Sequence, residues 1–202
     1  MESINFFDPK PQTLIDYDGK VILQENFIEN ISVDEIIAEV MWRQNEIKMF
    51  GKTHLEPRLM CFQAEENVHY SYSGIKLFST AITPLVLEIK NKIESAYSYK
   101  FNCVLLNYYR NGNDHMSYHS DDEKELGLNP TIASVSLGDT RKFVLKHQRD
   151  QSQPKVEINL NVKSLLIMSG ELQHHWVHKI TKKTSSQNPR VNLTFRYIKP
   201  RV

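Results

Sequence analysis

His119 and Asp121, separated by one residue, have side chains whose types and spacing could hold a metal ion. Residues two apart on a strand point to the same face, so one imidazole and one carboxylate can reach one ion. A second imidazole must come from elsewhere, and His174, His175 and His178 are candidates. Two histidines and a carboxylate form the facial triad that binds Fe(II). The H-x-D tripeptide alone is a weak signal, because it is common in surface loops.

Residues 190–197 alternate strictly between apolar and polar side chains, which predicts a strand whose polar face carries two arginines. Guanidinium groups bind carboxylates bidentately. On a straight strand the Cα atoms of Arg190 and Arg196 lie ~20 Å apart. Inward-leaning side chains and strand twist narrow this gap to about the length of a short dicarboxylate. A solvent-exposed basic edge strand would give the same pattern. The polar face comprises Arg190, Asn192, Thr194 and Arg196.

Two further polar side chains, Asn107 and Tyr109, share a predicted strand face and could donate neutral hydrogen bonds to the same ligand. A core position for Tyr109 is the alternative. Residues 172–202 contain seven basic residues and no acidic one, which indicates an anionic partner or a solvated charged face.

The composition excludes several protein classes. The 202 residues carry 25 Lys+Arg and 24 Asp+Glu, so a strongly basic, histone-like nucleic-acid binder is excluded. Cys61 and Cys103 are too few for a disulfide scaffold and lack CxxC spacing. We find neither a signal peptide nor an apolar run long enough for a membrane helix. We therefore expect a cytoplasmic or nuclear protein that is neither secreted nor in a membrane.

The elements that must position these residues change in type along the chain. Ser32 with Glu35 predicts the start of one helix, and Thr83-Pro84 predicts the start of a second that ends near Lys100. Residues 45–80 read as hairpins and loops. This arrangement predicts an α+β fold whose C-terminal half is a sandwich or jelly roll. The predicted strands are 103–109, 131–137, 142–146, 156–162, 164–168, 174–180 and 191–198.

Together these segments resemble the AlkB family of Fe(II)/2-oxoglutarate dioxygenases over residues 12–198. The resemblance implies a double-stranded β-helix (jelly roll) core with N-terminal helices and a nucleotide-recognition lid. It implies one domain over 1–202, with a lid and finger region at 45–80 and the core at 101–198. The cofactors implied are Fe(II), 2-oxoglutarate and O2. The matching strings are NYY at 107–109, HSDDE at 119–123, SVSLG at 134–138, HWVH at 175–178 and PRVNLTFR at 189–196.

The resemblance also implies roles for individual residues. The iron ligands would be His119, Asp121 and His178. Arg190 would bind the distal carboxylate of 2-oxoglutarate. The other cosubstrate-binding residues would be Tyr109 and Asn192 beside Arg190, Asn107 and Arg196 at the iron-chelating end, and Thr194 on the same face.

Residues 56–59 and 70–74 resemble the nucleotide-recognition lid of the family. Tyr72 would stack on a flipped base opposite His119. Tyr70 and Glu123 would hydrogen-bond the base edge, and Arg58 belongs to the same substrate set. A carboxylate there suits a cationic base such as 1-methyladenine or 3-methylcytosine. Core packing is the alternative for Tyr70 and Tyr72.

Residues 49–52 resemble the hydrophobic finger of AlkB-family members that act on double-stranded DNA. Phe50, next to Met49, would enter the duplex and fill the gap left by the flipped base. Core packing is again the alternative for Phe50. Phosphate contacts would come from Lys52, Lys182 and Lys183.

The implied function is oxidative removal of N-methyl groups from DNA, with release of formaldehyde, succinate and CO2. The expected partner is alkylated DNA, preferably duplex, and the expected state is a monomer. The alternatives are an RNA or single-strand demethylase, a dioxygenase of the same fold acting on a protein or small molecule, and a catalytically silent nucleic-acid-binding module.

Overall fold

The computed structural model describes residues 10–49, 52–68, 70–72 and 75–199. Two β-sheets of eight and four strands pack face to face, and two smaller hairpins lie at the N-terminal side of the chain. The strands are β1 (Gln12–Asp16), β2 (Lys20–Gln24), β3 (Glu46–Met49), β4 (Lys52–Leu55), β5 (Leu59–Ala64), β6 (Ser71–Tyr72), β7 (Ile75–Lys76), β8 (Ser79–Thr80), β9 (Cys103–Tyr109), β10 (Met116–His119), β11 (Ile132–Gly138), β12 (Arg141–His147), β13 (Val156–Leu160), β14 (Leu165–Ser169), β15 (Trp176–Ile180) and β16 (Arg190–Arg196). The helices are α1 (Val33–Glu39), α2 (Pro84–Tyr97) and α3 (Leu172–His175), with a 3₁₀ turn at Lys124–Leu126.

The larger sheet places β16 at its centre, hydrogen-bonded to β11 on one side and β9 on the other. Its strand order is β1-β2-β14-β11-β16-β9-β5-β8, and that of the smaller sheet is β10-β15-β12-β13. Val191, Leu193 and Phe195 of β16 pack in the core on the side of the helices. The alternate residues of β16 face the smaller sheet across a cavity. The predicted jelly-roll core is confirmed.

Helices α1 and α2 cover the outer face of the larger sheet, where their apolar side chains join its core. The predicted capping box is present: the Glu35 backbone N–H donates to Ser32 Oγ (3.2 Å), and Ser32 N–H donates to the Glu35 carboxylate (2.8 Å). Helix α2 begins at Pro84, as predicted, and ends at Tyr97, because Ser98 adopts a left-handed conformation. None of the helices in the described ranges is both long and apolar enough to cross a membrane.

The seven predicted strands are confirmed with shifts of one or two residues, and other parts of the pattern differ. The segment 174–180 begins as the end of α3 and becomes extended only at Trp176. Strand β10 was not among the predicted strands, and β5 joins the larger sheet although its segment was predicted as hairpins and loops. Strands β1 and β2 were also not predicted. They form a hairpin in which Leu23 of β2 pairs with Leu166 of β14, so a tertiary contact stabilises them. The hairpins β3–β4 and β6–β7 agree with the reading of residues 45–80.

Candidate metal and cosubstrate site

Three predicted metal ligands converge at the edge of the smaller sheet. One ligand atom from each of His119, Asp121 and His178 lies within 4.8 Å of the others. His119 is the last residue of β10 and pairs directly with His178 of β15. Asp121 lies after the end of β10, so the assumption that it shares a strand face with His119 is wrong. It reaches the site from the loop, where its backbone N–H donates to Gln173 Oε1 (2.9 Å).

The hydrogen bonding of His119 leaves one ring nitrogen available to a metal ion. Its Nδ1 lies 2.9 Å from the carbonyl oxygen of Ser117, which can only accept, so Nδ1 carries the proton. Its Nε2 therefore has a free lone pair, and it lies 3.6 Å from Asp121 Oδ1. A backbone carbonyl that orients the distal ring nitrogen is the usual support for a metal-binding histidine.

The charge states of the other two ligands also fit a cation. Burial alone would raise the pKa of Asp121, but Arg196 and the two histidines outweigh it and hold that pKa at about 2. Burial, with His119 close by, lowers the pKa of His178 to about 3. An ionised carboxylate and a neutral imidazole are the forms that bind metal ions.

The hydrogen bonds around these residues also fit a bound metal ion. Arg196 Nη2 donates to Asp121 Oδ2 at 2.8 Å, whereas Asp121 Oδ1 and His178 Nδ1 are buried with no hydrogen-bond partner among the described residues. Buried polar atoms are normally paired, so unpaired ones among three metal-binding side chains indicate a site for a metal ion. The residues present fit a divalent metal ion.

Arg190 is buried in the same cavity without a carboxylate partner in the described part of the chain. Its Nη2 donates to Ser136 Oγ at 2.9 Å, while Nε and Nη1 find no acceptor there. Burial lowers the pKa of Arg190 to about 10, so it remains a cation at neutral pH. Buried unpaired guanidinium N–H groups are suited to a carboxylate ligand. All the residues predicted to bind iron or cosubstrate line this cavity: Asn107, Tyr109, His119, Asp121, His178, Arg190, Asn192, Thr194 and Arg196.

Several of these polar residues are held in place by other protein groups. Asn192 Nδ2 donates to Ser134 Oγ (2.7 Å), and Thr194 Oγ1 donates to Asn192 Oδ1 (3.0 Å). Asn107 Oδ1 accepts from Arg58 Nε at 2.7 Å. The structure thus places Arg58, assigned by resemblance to the base, buried beside Asn107.

Glu56 and Arg141 are two site-supporting residues that the sequence reasoning did not assign a role. Glu56 Oε1 accepts from Arg58 Nη2 at 3.1 Å. Arg141 is buried with its guanidinium over the ring of Tyr109. The available signal for Arg141 was an arginine at the start of a strand whose central residues, 143–145, are apolar.

Tyr70 and Glu123 lie near the metal ligands, and each affects the pKa of the other. Burial raises the pKa of the Tyr70 hydroxyl, which therefore keeps its proton at neutral pH. Burial, with Asp121 nearby, raises the pKa of Glu123. The Tyr70 ring also packs 5.5 Å from that of Phe62, so the tyrosine is a core residue as well as a neighbour of the site.

Most of the residues predicted to form the finger or to contact phosphate lie outside the described residues, either entirely or in their side chains. Phe50 lies outside the described residues, as do the side chains of Met49, Lys52 and Tyr72, although their backbones belong to β3, β4 and β6. Lys182 is exposed. The ammonium group of Lys183 is bound by Asp139 (2.7 Å) and the carbonyl of Thr140 (3.2 Å).

In a second cluster in the described residues, Asp18, His147 and His175, the ligand atoms are close enough to hold a metal ion, but the protonation of His147 does not suit one. His147 Nδ1 accepts the backbone N–H of Asp150 at 2.8 Å and therefore carries no proton. In neutral His147 the proton is on Nε2, which donates to Asp18 Oδ2 at 3.1 Å. This nitrogen has no lone pair for a metal, so we assign the cluster a hydrogen-bonding role.

Comparison with known proteins identifies the family. The 2OG-Fe(II) oxygenase superfamily profile matches residues 21–196. The chain is 36% identical over 194 residues to the alpha-ketoglutarate-dependent dioxygenase alkB homolog 3 of Bos taurus, covering 90% of this chain and 67% of that protein. It is 35% identical over 160 residues to the DNA oxidative demethylase ALKBH2 of Bos taurus, covering 76% of this chain and 58% of that protein. The chain thus spans about two thirds or less of the length of these relatives.

Solved structures show the same fold at low sequence identity. OsALKBH1 superposes with a TM-score of 0.61 at 16% identity, covering 93% of this chain and 100% of that one. An oxidoreductase of the 2OG-Fe(II) oxygenase family from Burkholderia pseudomallei gives a TM-score of 0.55 at 11% identity, covering 88% and 86%. The profile match, the identities and the residues in the cavity agree. The chain belongs to the AlkB family of Fe(II)/2-oxoglutarate-dependent dioxygenases, whose reaction requires Fe(II), 2-oxoglutarate and O2.

Proposed function

We propose that the protein removes N-methyl groups from bases of alkylated DNA by oxidation, with 2-oxoglutarate converted to succinate and CO2 and the methyl group released as formaldehyde. The observation that carries this proposal is one cavity that contains both the His119/Asp121/His178 cluster and the unpaired guanidinium of Arg190. The demethylase named among the relatives supports nucleic acid as the substrate class.

Bound Fe(II), with 2-oxoglutarate and O2, supplies the oxidising chemistry. The task of the chain is to position the reactants. Arg196 fixes the carboxylate of Asp121 through its 2.8 Å hydrogen bond, and Ser117 fixes the ring of His119. Arg190 binds the distal carboxylate of the cosubstrate, which orients its keto acid end toward the metal ligands.

In this proposal the substrate base is held by residues other than those that bind 2-oxoglutarate. Tyr70 and Glu123 bind its polar edge, and Tyr72 stacks on its face. The charge of Glu123 favours bases that methylation has made cationic, such as 1-methyladenine and 3-methylcytosine. Residues 1–202 act as one catalytic domain, with 45–80 as the lid and finger and 101–198 as the core, and the protein works as a monomer.

Release of formaldehyde and succinate tests the function directly. The protein, Fe(II) and 2-oxoglutarate are incubated with methylated duplex DNA, methylated single strands, methylated RNA or unmodified DNA. We expect formaldehyde only from methylated substrates, and more from DNA than from RNA. Larger release from RNA would favour the RNA demethylase alternative. Succinate without formaldehyde from any of these substrates would contradict the proposal.

Replacing Glu123 by glutamine is expected to raise the KM for 3-methylcytosine DNA roughly tenfold, because a hydrogen bond to a charged group becomes a neutral one. The neutral lesion 1-methylguanine should be affected much less. Steady-state kinetics on both substrates measure the difference. Asp122→Asn, at the exposed neighbouring residue, is the matched control. An equal change on both lesions would show that Glu123 does not discriminate by charge.

Replacing Phe50 by alanine is expected to reduce the rate of duplex repair roughly tenfold and to leave the rate on single strands within about twofold. Only a duplex must be unstacked to release the base, at a cost of a few kcal/mol, and an inserted apolar side chain offsets that cost. Initial rates on matched duplex and single-stranded oligonucleotides measure this ratio. Leu55→Ala removes an exposed apolar side chain (59% exposed) from the end of β4 and serves as the control. Equal loss on both substrates would make Phe50 a packing residue.

A further inference from the structure

Arg141, the first residue of β12, is 1% exposed and donates to three backbone carbonyl groups. Its Nη2 lies 2.7 Å from the carbonyl oxygen of Asp114 and 2.6 Å from that of Thr181, and Nη1 lies 3.3 Å from that of Asn111. Asp114 lies two residues before β10, and Thr181 directly follows β15. One guanidinium group therefore joins the ends of the two strands that carry His119 and His178.

The same guanidinium shares an aromatic neighbour with Arg190. The central carbon of Arg141 lies 5.5 Å from the ring centre of Tyr109, and that of Arg190 lies 5.2 Å from it. Tyr109 and Arg190 line the cavity, whereas Arg141 does not. Any effect of Arg141 on a ligand in the cavity must therefore pass through Tyr109 or through its charge.

Neither arginine has a carboxylate within ion-pair distance among the described residues. Two carboxylates close enough to influence them are bound elsewhere. Asp114 binds the guanidinium of Arg110 at 2.8 Å, and Asp139 binds the ammonium of Lys183 at 2.7 Å. Two buried positive charges therefore lack a direct counter-charge, an unfavourable arrangement that an anionic ligand would offset.

We propose that Arg141 is a positioning residue for 2-oxoglutarate: it holds Tyr109 against Arg190 and supplies a second positive charge at the distal carboxylate. In this role Arg141 makes the site select a dicarboxylate over a 2-oxo acid that lacks the distal carboxylate. The proposal rests on the assignment of the distal carboxylate to Arg190 and is independent of the nucleic-acid substrate.

Lysine could not replace Arg141 fully. The planar guanidinium reaches three carbonyl groups with its two terminal nitrogens and also lies over the aromatic ring. An ammonium group is a point charge that cannot do both. Arg141→Lys therefore keeps the charge and loses the positioning, while Arg141→Met loses both.

Calorimetric binding separates these contributions without turnover. Each variant is loaded with Mn(II) in place of Fe(II) and titrated with 2-oxoglutarate and with 2-oxopentanoate, which has the same chain length but no distal carboxylate. We expect Arg141→Met to weaken 2-oxoglutarate binding by about 10- to 100-fold, since each factor of ten is 1.4 kcal/mol. The variant should leave 2-oxopentanoate binding within about twofold. The affinity of Arg141→Lys for 2-oxoglutarate should lie between the affinities of Arg141→Met and the unmodified protein. Lys142→Met, at the exposed next residue, should bind both ligands normally.

Three outcomes would overturn the proposal. These are unchanged 2-oxoglutarate affinity in Arg141→Met, equal weakening of both ligands, and, if Arg141→Met does not fold, an Arg141→Lys protein with the normal ratio of the two affinities. A different failure would affect its premise: if Arg190→Met itself bound 2-oxoglutarate normally, the distal carboxylate would lie elsewhere.

Discussion

Replacing His119 by alanine is expected to reduce formaldehyde release by at least about 100-fold, because loss of a ligand should exceed the 10- to 100-fold losses typical when a ligand's supporting group is removed. The fold should remain intact. His119 ends a strand, its side chain is 22% exposed, and its one hydrogen bond within the described residues is to Ser117. Its removal leaves no buried charge behind. Activity, Mn(II) binding and thermal unfolding should be measured on the same preparation.

Asp121→Asn is the informative contrast to His119→Ala. It should also abolish activity, but it leaves Arg196 buried without its ionised partner. Breaking a buried pair by removing one charge typically costs about 3–5 kcal/mol of unfolding free energy. Denaturant unfolding of the metal-free proteins should therefore separate the two variants. Retained turnover in His119→Ala would remove the metal assignment, and unchanged stability in Asp121→Asn would contradict the structural role of the pair.

Replacing Arg190 by methionine is expected to raise the KM for 2-oxoglutarate by about 100-fold, since a buried charge-assisted contact to a carboxylate is worth roughly 3 kcal/mol. The side chain is fully buried and its free N–H groups lie at the cavity. Because methionine also removes an unpaired buried charge, the protein should not lose stability. The kcat at saturating 2-oxoglutarate should change less than KM.

Ser136→Ala is the matched control for Arg190→Met. It removes the hydroxyl that accepts from Arg190 Nη2 and leaves the guanidinium charge in place. The loss of one neutral acceptor is worth about 1 kcal/mol, or roughly fivefold in KM. An unchanged KM in Arg190→Met would place the cosubstrate carboxylate at another residue, whereas a fall in kcat alone would indicate a role in the reaction geometry.

Much of the fold was readable because local patterns and the final packing agree. The capping box at Ser32 and the proline at the start of α2 fix helix starts through backbone hydrogen bonds that any context preserves. The β1–β2 hairpin was not readable, because it is stabilised by pairing with β14, more than 140 residues later in the chain. Likewise, Met41 extends the apolar spacing of α1, yet it lies beyond the helix and is 64% exposed.

The site was predictable where the residue type itself carries the chemistry. Metal-binding side chains and the arginines of β16 could be named from their types and from a family resemblance, and the structure brings them into one cavity. The contacts between site residues could not be predicted. The bond from Arg58 to Asn107 spans 49 residues, and that from Arg196 to Asp121 spans 75. Only tertiary structure shows that these arginines are already bound to other site residues.

The two faces of β16 restrict where the chain can change in length. Every residue of this strand is buried, and both of its edges are paired, so an inserted residue could not be absorbed by a bulge toward solvent. A shift of one position would turn the valine, leucine and phenylalanine into the cavity and the two arginines into the hydrocarbon core. Stability and cofactor binding would be lost together. We expect variation in length to be tolerated instead in the mostly exposed connection 148–155, so an engineered tag belongs there.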